Sequence, residues 1–149
     1  MEPRDKQFDE KVMEISRVSR TVKGGKRISF RALVIVGDRK GRVGIGIGKA
    51  NDVSMAIRKA VSTGKKRMQK IELTEAGSIK RETLSRFGSA KVLLRPAPVG
   101  TSIISGGIVR TIAELSGVKN LVSKSIGSSN KINLAKATLA GLIEATDGK

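Results

Sequence analysis

A tract in which glycine alternates with β-branched residues constrains the fold of this chain more than any other feature. In residues 42–49, glycine occupies positions 44, 46 and 48, and Val43, Ile45 and Ile47 stand between them. Successive side chains of a strand point to opposite faces, so the tract predicts a strand with one apolar face and one face without side chains. A bare face allows another backbone to approach closely. A helix of the same domain is the favoured occupant, and the backbone of a bound molecule is the alternative.

The charge of the chain points to a polyanionic partner. The 149 residues include 30 Lys and Arg against 13 Asp and Glu, a formal net charge of +17, and 19 of the basic residues lie in residues 1–70. Such an excess is costly in self-repulsion unless a polyanion neutralises it. Nucleic acid is therefore the expected partner, although a solvated basic surface is the ordinary alternative for any charge run. An RNA backbone then becomes the second candidate for the bare glycine face.

Several classes of site lack the residues that they need. The chain has no Cys and no His, which excludes disulfides and removes the thiolate and imidazole ligands of metals and the commonest general base. We expect no catalytic residue, no metal site and no cofactor. With no Trp, no Tyr and 3 Phe, few rings could stack on unpaired bases, so recognition through phosphates and helix shape is expected. No stretch has the roughly 20 apolar residues of a spanning helix and no signal peptide opens the chain, so we expect no membrane partner and a cytoplasmic location.

The first half of the chain predicts three strands and a helix behind a flexible arm at residues 1–11. Uneven apolar spacing is typical of a bulged or strongly twisted first strand, and a Gly-Gly pair predicts the turn after it. The predicted elements are strands at 12–22, 28–36 and 42–49, and a helix capped by Asn51 or Asp52 with apolar positions as far as Met68. The other face of this helix is basic and is either solvated or lies on phosphates. We place this first domain at residues 12–73.

The second half predicts a strand, a helix, a strand and a helix after a linker. The linker, residues 71–89, contains one or two short strands, and the domain boundary is placed near Leu73. The elements predicted after it are a strand at 91–95 ended by Pro96, a helix from Ser105 or Gly106–Gly107 to Gly117, a strand at 120–126, and a helix capped by Ser129 or Asn130. The second domain is thus residues 74–149. The whole chain is predicted to be α+β, with two small α/β-layered domains.

Nucleotide-binding motifs are weak in this sequence. The glycine tract does not match a P-loop, since Val43 and Ala50 stand where a glycine and a hydroxyl residue are needed. The dinucleotide-binding pattern fails as well, because Lys49 stands in place of its last glycine. Residues 98–107 resemble the phosphate loop of small-molecule kinases, but Glu114 alone is a poor set of catalytic groups. A kinase-like phosphate binder is therefore a remote alternative.

Several segments together closely resemble bacterial small-subunit ribosomal protein number five. They are residues 17–27, 41–50, 96–101, 106–107 with Arg110, and 127–130, and the resemblance runs from about Val12 to Leu142. It implies a first domain similar to a double-stranded-RNA-binding fold and a second domain with a left-handed crossover, against the usual right-handed rule. Many members of that family carry a longer C-terminal tail than this sequence does.

The resemblance also implies a place in the small ribosomal subunit in the cytoplasm. There the chain would bind 16S-type rRNA, lie beside ribosomal proteins four and eight near the channel through which mRNA enters, and support assembly and translational accuracy. Contact with mRNA itself is a further expectation. A free-standing regulator that binds structured RNA stays open as the alternative.

The candidate site residues fall into two sets. The resemblance places the loop from Lys23 to Arg27 toward the rRNA of the head near the spectinomycin site, and Arg17 and Arg20 toward rRNA or incoming mRNA. The expected rRNA-binding residues are Arg17, Arg20, Lys23, Gly24, Gly25, Lys26, Arg27, Lys40, Arg42 and Lys49. The expected surface for protein four includes Gly100, Thr101 and Arg110.

Overall fold

The computed structural model describes residues 8–127 and 130–146. Within these ranges the first half folds into an antiparallel sheet in the order β1-β2-β3-β4, with a helix between its last two strands. The elements are β1 (Asp9–Val22), β2 (Gly25–Gly37), β3 (Arg42–Ala50), α1 (Val53–Lys66) and β4 (Gln69–Lys70). The short β4 pairs with the start of β3 and was not predicted as a strand. The three long strands and the helix were predicted and are confirmed, but α1 ends at Lys66, before the predicted position Met68, because the chain turns there into β4.

The second half adds a sheet of order β5-β6-β8-β7, again counted over the described residues. Its elements are β5 (Thr83–Phe87), β6 (Ala90–Pro96), β7 (Ile103–Ile104), α2 (Gly107–Ser116), β8 (Leu121–Gly127) and α3 (Lys131–Thr146). β7 is parallel to β8, whereas the other pairs are antiparallel. The α+β class is confirmed. The β7-α2-β8 connection is the crossover to which the expected left-handed sense applies, and that handedness stays a prediction.

The predicted pattern of the second half was incomplete. β7 was missed because a pair of isoleucines is too short to show a period, and its pairing depends on Leu121 and Val122 of β8. β5 lies inside the segment that was predicted as a linker with short strands. Pro96, predicted to stop β6, is its last residue.

The first strand begins earlier than predicted. Asp9, Glu10 and Lys11 pair with the end of β2, and Asp9 forms an ion pair with Arg39, so the flexible-arm prediction is wrong for these three residues. Residues 1–7 of the predicted arm lie outside the described residues. Of the two alternatives predicted for this strand, a bulge or a strong twist, the bulge is confirmed by the shift in register between Val12 and Glu14.

Helix α1 covers the bare face of β3, as the favoured interpretation of the glycine tract predicted. A Cβ at Gly46 would overlap the carbonyl oxygen of Ala60, and one at Gly48 would lie 2.5 Å from the carbonyl oxygen of Ala56. Ala56 and Ala60 are themselves buried, so two backbones meet with only methyl groups between them. The close packing of helix and strand therefore depends on small residues on both sides.

The ends of the other helices follow the predicted capping residues. α2 ends at Gly117, whose φ of +98° is the left-handed conformation of a C-cap. At the start of α3, the Asn130 Oδ1 accepts a hydrogen bond from the backbone N–H of Asn133 at 3.1 Å. Ser129, the other predicted cap, lies outside the described residues. No helix in the described part of the chain is long and apolar enough to span a bilayer.

The described residues form two hydrophobic clusters, and the larger one is shared by the two halves. Leu33 and Ile35 of β2 and Val43 of β3, on the sheet face opposite α1, belong to a cluster formed mainly by the second half. The backbone N–H of Arg39 donates to the Leu115 carbonyl at 2.9 Å, so the β2–β3 turn is also bonded to the end of α2. The domain ranges 12–73 and 74–149 stay a prediction. The side chains at the contact between the halves are buried, as in the interior of a protein.

Candidate nucleic-acid interface

The β1–β2 hairpin extends beyond the rest of its sheet. Phe30, opposite Ala50, is the β2 residue nearest the hairpin tip that pairs with β3, whereas the pairing of β1 with β2 continues to Val22 and Gly25. At 3.3 Å per residue, the two strands project roughly 17 Å past that point. We call residues 18–29 the basic ribbon. Its valine, isoleucine and threonine residues favour an extended backbone.

Lys23 and Gly24 form the turn at the tip of the basic ribbon. Gly24 and Gly25 have φ of +96° and +148°, conformations that L side chains rarely adopt. A Cβ at either position would meet nothing within 4 Å, so glycine is needed here for the backbone conformation and not for space. The absence of side chains leaves the tip open. Lys23 and Arg27 are exposed beside it. A phosphate could thus reach both the backbone of the tip and its cations.

The structure brings most of the predicted rRNA-binding residues to the ribbon and its base. Arg17 pairs with Phe30 at the base, and Lys49 lies at the neighbouring position, opposite Arg31. Because side chains alternate along strands, Arg17 lies on the α1 face and Lys49 on the other, which gives the base cations on both faces. The backbones of Arg20 and Lys26 belong to the ribbon, but their side chains lie outside what the structure describes.

A small cleft at the base of the ribbon adds a cation that was not among the predicted site residues. Its volume is about 310 Å³, and Lys49, Lys59 and Met55 are among its lining residues. The Lys59 Nζ donates to the Lys49 carbonyl at 3.2 Å, which joins α1 to the end of β3. The signal for Lys59 was the basic face of the helix, but the sequence did not show which of its cations lies near the ribbon.

Lys40 and Arg42 lie at the opposite end of the sheet. β2 separates them from the ribbon tip by the length of the strand from Gly25 to Gly37, roughly 40 Å. The Arg42 Nε contacts the Asp38 Oδ2 at 3.2 Å, and its guanidinium lies 5.7 Å from the Phe8 ring centroid. Lys40 is exposed. The predicted site is therefore divided, and Arg42 already has partners within the protein.

Asp38 organises the β2–β3 turn. Its Oδ1 accepts hydrogen bonds from the backbone N–H groups of Lys40 at 2.8 Å and Arg42 at 2.9 Å. Partial burial by itself raises the pKa of Asp38, but these two hydrogen bonds and the Arg42 guanidinium outweigh it and hold the pKa below the usual value. This turn is the one bonded to α2, so Asp38 supports the contact between the halves.

Asp38→Asn is expected to lower the free energy of unfolding by about 1–2 kcal/mol near pH 7, because the charged acceptor of three hydrogen bonds is removed. The pKa of Asp38 is lower in the folded state than in the unfolded state, so its charge stabilises the fold above about pH 4. That contribution falls as the pH drops through the folded-state pKa. Urea unfolding of both proteins at a series of pH values, followed by far-UV circular dichroism, should show a difference that shrinks in acid.

Asp52→Asn is the matched control for this prediction. Asp52 is exposed, and its side chain makes no capping hydrogen bond at the start of α1. The control should change stability by less than about 0.5 kcal/mol at every pH. A destabilisation by Asp38→Asn that is equally large at low pH would mean that the charge of Asp38 has no stabilising role.

The loop with the predicted protein-partner residues is held by a buried asparagine. The Asn120 Oδ1 accepts hydrogen bonds from the N–H groups of Gly100 at 3.2 Å and Ser102 at 2.9 Å, and its Nδ2 donates to the Ala76 carbonyl. Gly100 and Arg110 are exposed and Thr101 is half-buried. The Arg110 Nε lies 3.5 Å from a Glu114 carboxylate oxygen, so the carboxylate considered for kinase chemistry is ion-paired.

Two exposed apolar side chains next to this loop were missed by the sequence analysis. Val99 is 77% exposed and Ile104 is 56% exposed. Their exposure was hidden because Ile104 lies in the unpredicted β7 and Val99 follows a proline in the loop. With Gly100 and Thr101 they form a small surface of mixed character. Among the described residues, no group of three or more Asp or Glu could hold a metal ion.

Comparison with known proteins gives two matches to family sequence models. Residues 8–72 match "Ribosomal protein S5, N-terminal domain", and residues 85–147 match "Ribosomal protein S5, C-terminal domain". The small ribosomal subunit proteins uS5 of Acaryochloris marina and Prochlorococcus marinus (strain MIT 9301) are 50% and 51% identical to this chain over 139 residues. These alignments cover 93% of this chain and 78% and 68% of the two relatives. The small ribosomal subunit protein uS5c of Emiliania huxleyi is 48% identical over 136 residues, 91% of this chain and 86% of the relative.

Proposed function

Because the chain belongs to the ribosomal protein S5 family, we propose that it is a structural constituent of the small ribosomal subunit that binds 16S-type rRNA and catalyses no reaction. The observation that carries the RNA-binding part is the basic ribbon, which presents exposed cations and an open glycine turn away from the body of the protein. Its location would be the small subunit in the cytoplasm. Neither a cofactor nor a membrane enters this proposal.

The mechanism is neutralisation of phosphates by the ribbon. Lys23 and Arg27 at the tip, and Arg17 and Lys49 at the base, replace counterions on folded rRNA, whose release favours binding. The backbone of Gly24 and Gly25 approaches the RNA closely where a side chain would hold it away. These contacts position the protein on the RNA backbone without reading bases. Arg20, Lys26, Lys40 and Arg42 remain members of the proposed site.

The finer partner assignments are part of the same proposal. The surface of Gly100, Thr101 and Arg110 would contact ribosomal protein four, and the exposed Val99 and Ile104 beside it supply the apolar area that a protein interface needs. Protein eight would be a second neighbour, with mRNA at the channel through which it enters. Through these contacts the chain would support subunit assembly and translational accuracy.

A direct test of rRNA binding compares small-subunit rRNA with an unrelated structured RNA of equal length at several salt concentrations. Preference for the small-subunit rRNA that persists at high salt is expected. Equal and steeply salt-dependent binding to both would reduce the chain to a nonspecific basic protein. Cosedimentation with small subunits separates the ribosomal role from that of a free-standing RNA-binding regulator, which would stay in the supernatant.

The double substitution Lys23→Ala and Arg27→Ala is expected to flatten the dependence of log K on log salt by about two units, one for each phosphate that the ribbon no longer neutralises. Arg95→Ala with Arg110→Ala is the matched control. It also removes two positive charges, but from arginines that form ion pairs with Glu82 and Glu114. Filter binding across a salt series gives both slopes. If the control flattens the slope as much as the ribbon variant does, the ribbon is not the principal RNA-binding surface.

A further inference from the structure

A cleft with a volume of about 720 Å³ lies between the two halves, beside the cluster that they share. Strand β3 and the end of α1 form one wall, and α3 with the end of β5 forms the other. Its lining residues are Ile45, Ile47, Thr63, Arg67, Gln69, Phe87, Lys136, Leu139, Ala140 and Ile143. Ile45 and Ile47 belong to the β3 face opposite the glycines, so the alternation of the tract supplies the apolar wall. The volume lies within the usual range of small-ligand sites.

The cleft combines a flat apolar surface with positive charge. Phe87 is 43% exposed even though the Lys136 Nζ lies 5.1 Å from its ring centroid. Arg67 and Lys136 are exposed cations, and no carboxylate occurs among the described residues that line the cleft. The ligand that suits both features is anionic and carries a flat ring. A nucleotide has this chemistry, whereas an acidic side chain would satisfy the cations alone.

We infer that this cleft binds a single nucleotide of RNA that is turned out of its helix, with the base against Phe87 and the isoleucines and the phosphate near Arg67 and Lys136. The inference rests on the proposed rRNA binding and adds a base-binding site to it. Unpaired bases stack on aromatic rings, and the amide of Gln69 offers a donor and an acceptor to a base edge. The expectation that recognition uses only phosphates and helix shape would then be incomplete.

The test uses the isoleucine methyl groups of the full chain as reporters, by ¹³C-methyl NMR with AMP as the probe. The methyls of Ile45, Ile47 and Ile143 should shift through the ring current of the bound base, while the exposed Ile104 outside the cleft should not. Hexa-adenylate should shift the same methyls at lower concentration, because its further phosphates meet the basic surface. Inorganic phosphate, which has the charge without the ring, should leave them in place.

Substitutions in the cleft test which of its residues bind AMP. Phe87→Leu keeps an apolar side chain and should weaken AMP binding about fivefold or more, since the base can no longer stack on a ring. Lys136→Gln should weaken it about threefold or more, because a charge-assisted hydrogen bond to the phosphate is removed. Lys124→Gln, at an exposed cation on β8, is the matched control and should leave AMP binding unchanged. The methyl spectrum of each variant shows directly whether its fold is intact.

Three results would overturn the inference. They are the absence of shifts at the cleft methyls with AMP, equal shifts with phosphate alone, and equal shifts with a hexaglutamate peptide, which would indicate an acidic protein segment as the occupant. Any of these can occur while the chain keeps its preference for small-subunit rRNA and the Phe87→Leu variant binds that rRNA normally. In that event the cleft proposal fails and the proposed function stands.

Discussion

Replacing Gly46 with alanine is expected to lower the free energy of unfolding by about 3 kcal/mol or more, at the upper end of the cost of overpacking. The added Cβ would overlap the carbonyl oxygen of Ala60, and neither backbone can move without opening the contact between α1 and β3. Ala56 and Ala60 are already small, so no side chain can give way. Urea unfolding followed by far-UV circular dichroism gives the change, since a chain with no Trp and no Tyr offers little fluorescence.

Gly106→Ala is the control for that substitution. Gly106 precedes α2 with a φ of −105°, and a Cβ there would meet nothing within 4 Å. The cost should therefore stay within about 1 kcal/mol, the difference between glycine and alanine as helix N-caps. If an RNA backbone occupied the bare glycine face in place of α1, Gly46→Ala would weaken RNA binding and leave the free energy of unfolding unchanged. That result would contradict the prediction.

The glycine tract is an example of structure that could be predicted from the sequence alone. The alternation of glycine with Val43, Ile45 and Ile47 was sufficient to predict a strand with two unlike faces, and a helix of the same domain was the favoured occupant of the bare one. The strand prediction depends on local periodicity, which a sequence displays directly. The cap residues Gly117 and Asn130 were predicted for a similar reason. Each acts within a few residues of its own position.

What the sequence did not show depends on contacts between distant residues. β7 exists through its pairing with β8, and the early start of β1 depends on the end of β2 and on Arg39. The sequence also did not show that the predicted RNA-binding cations fall into two separate groups. Arg27 and Lys40 are near in sequence, but they lie at opposite ends of the long strand β2. Phe87 carried no signal of a site, since the opposite wall of its cleft comes from the first half of the chain.

The shared core has a consequence for how the two halves unfold. The side chains of Leu33 and Ile35 project from the N-terminal sheet on the face opposite α1. They belong to the same hydrophobic cluster as Leu94, Ile112 and Leu142 of the second half. The β2–β3 turn adds backbone hydrogen bonds to the end of α2. A cluster of this kind makes the stability of each half depend on the other. We therefore expect the described residues to unfold as one cooperative unit.

Leu33→Ala tests this directly and should lower the free energy of unfolding by about 2–5 kcal/mol, because a side chain only 1% exposed leaves a cavity in the shared core. In native-state hydrogen exchange, the protection of the slowest amides of β2 and of β6 should fall by the same free energy. Leu84→Ala, at a leucine that is 55% exposed, is the control and should change either set by less than about 0.5 kcal/mol. Reduced protection in β2 alone, with β6 unchanged, would mean that the halves are separate folding units and that their common cluster is only a docking surface.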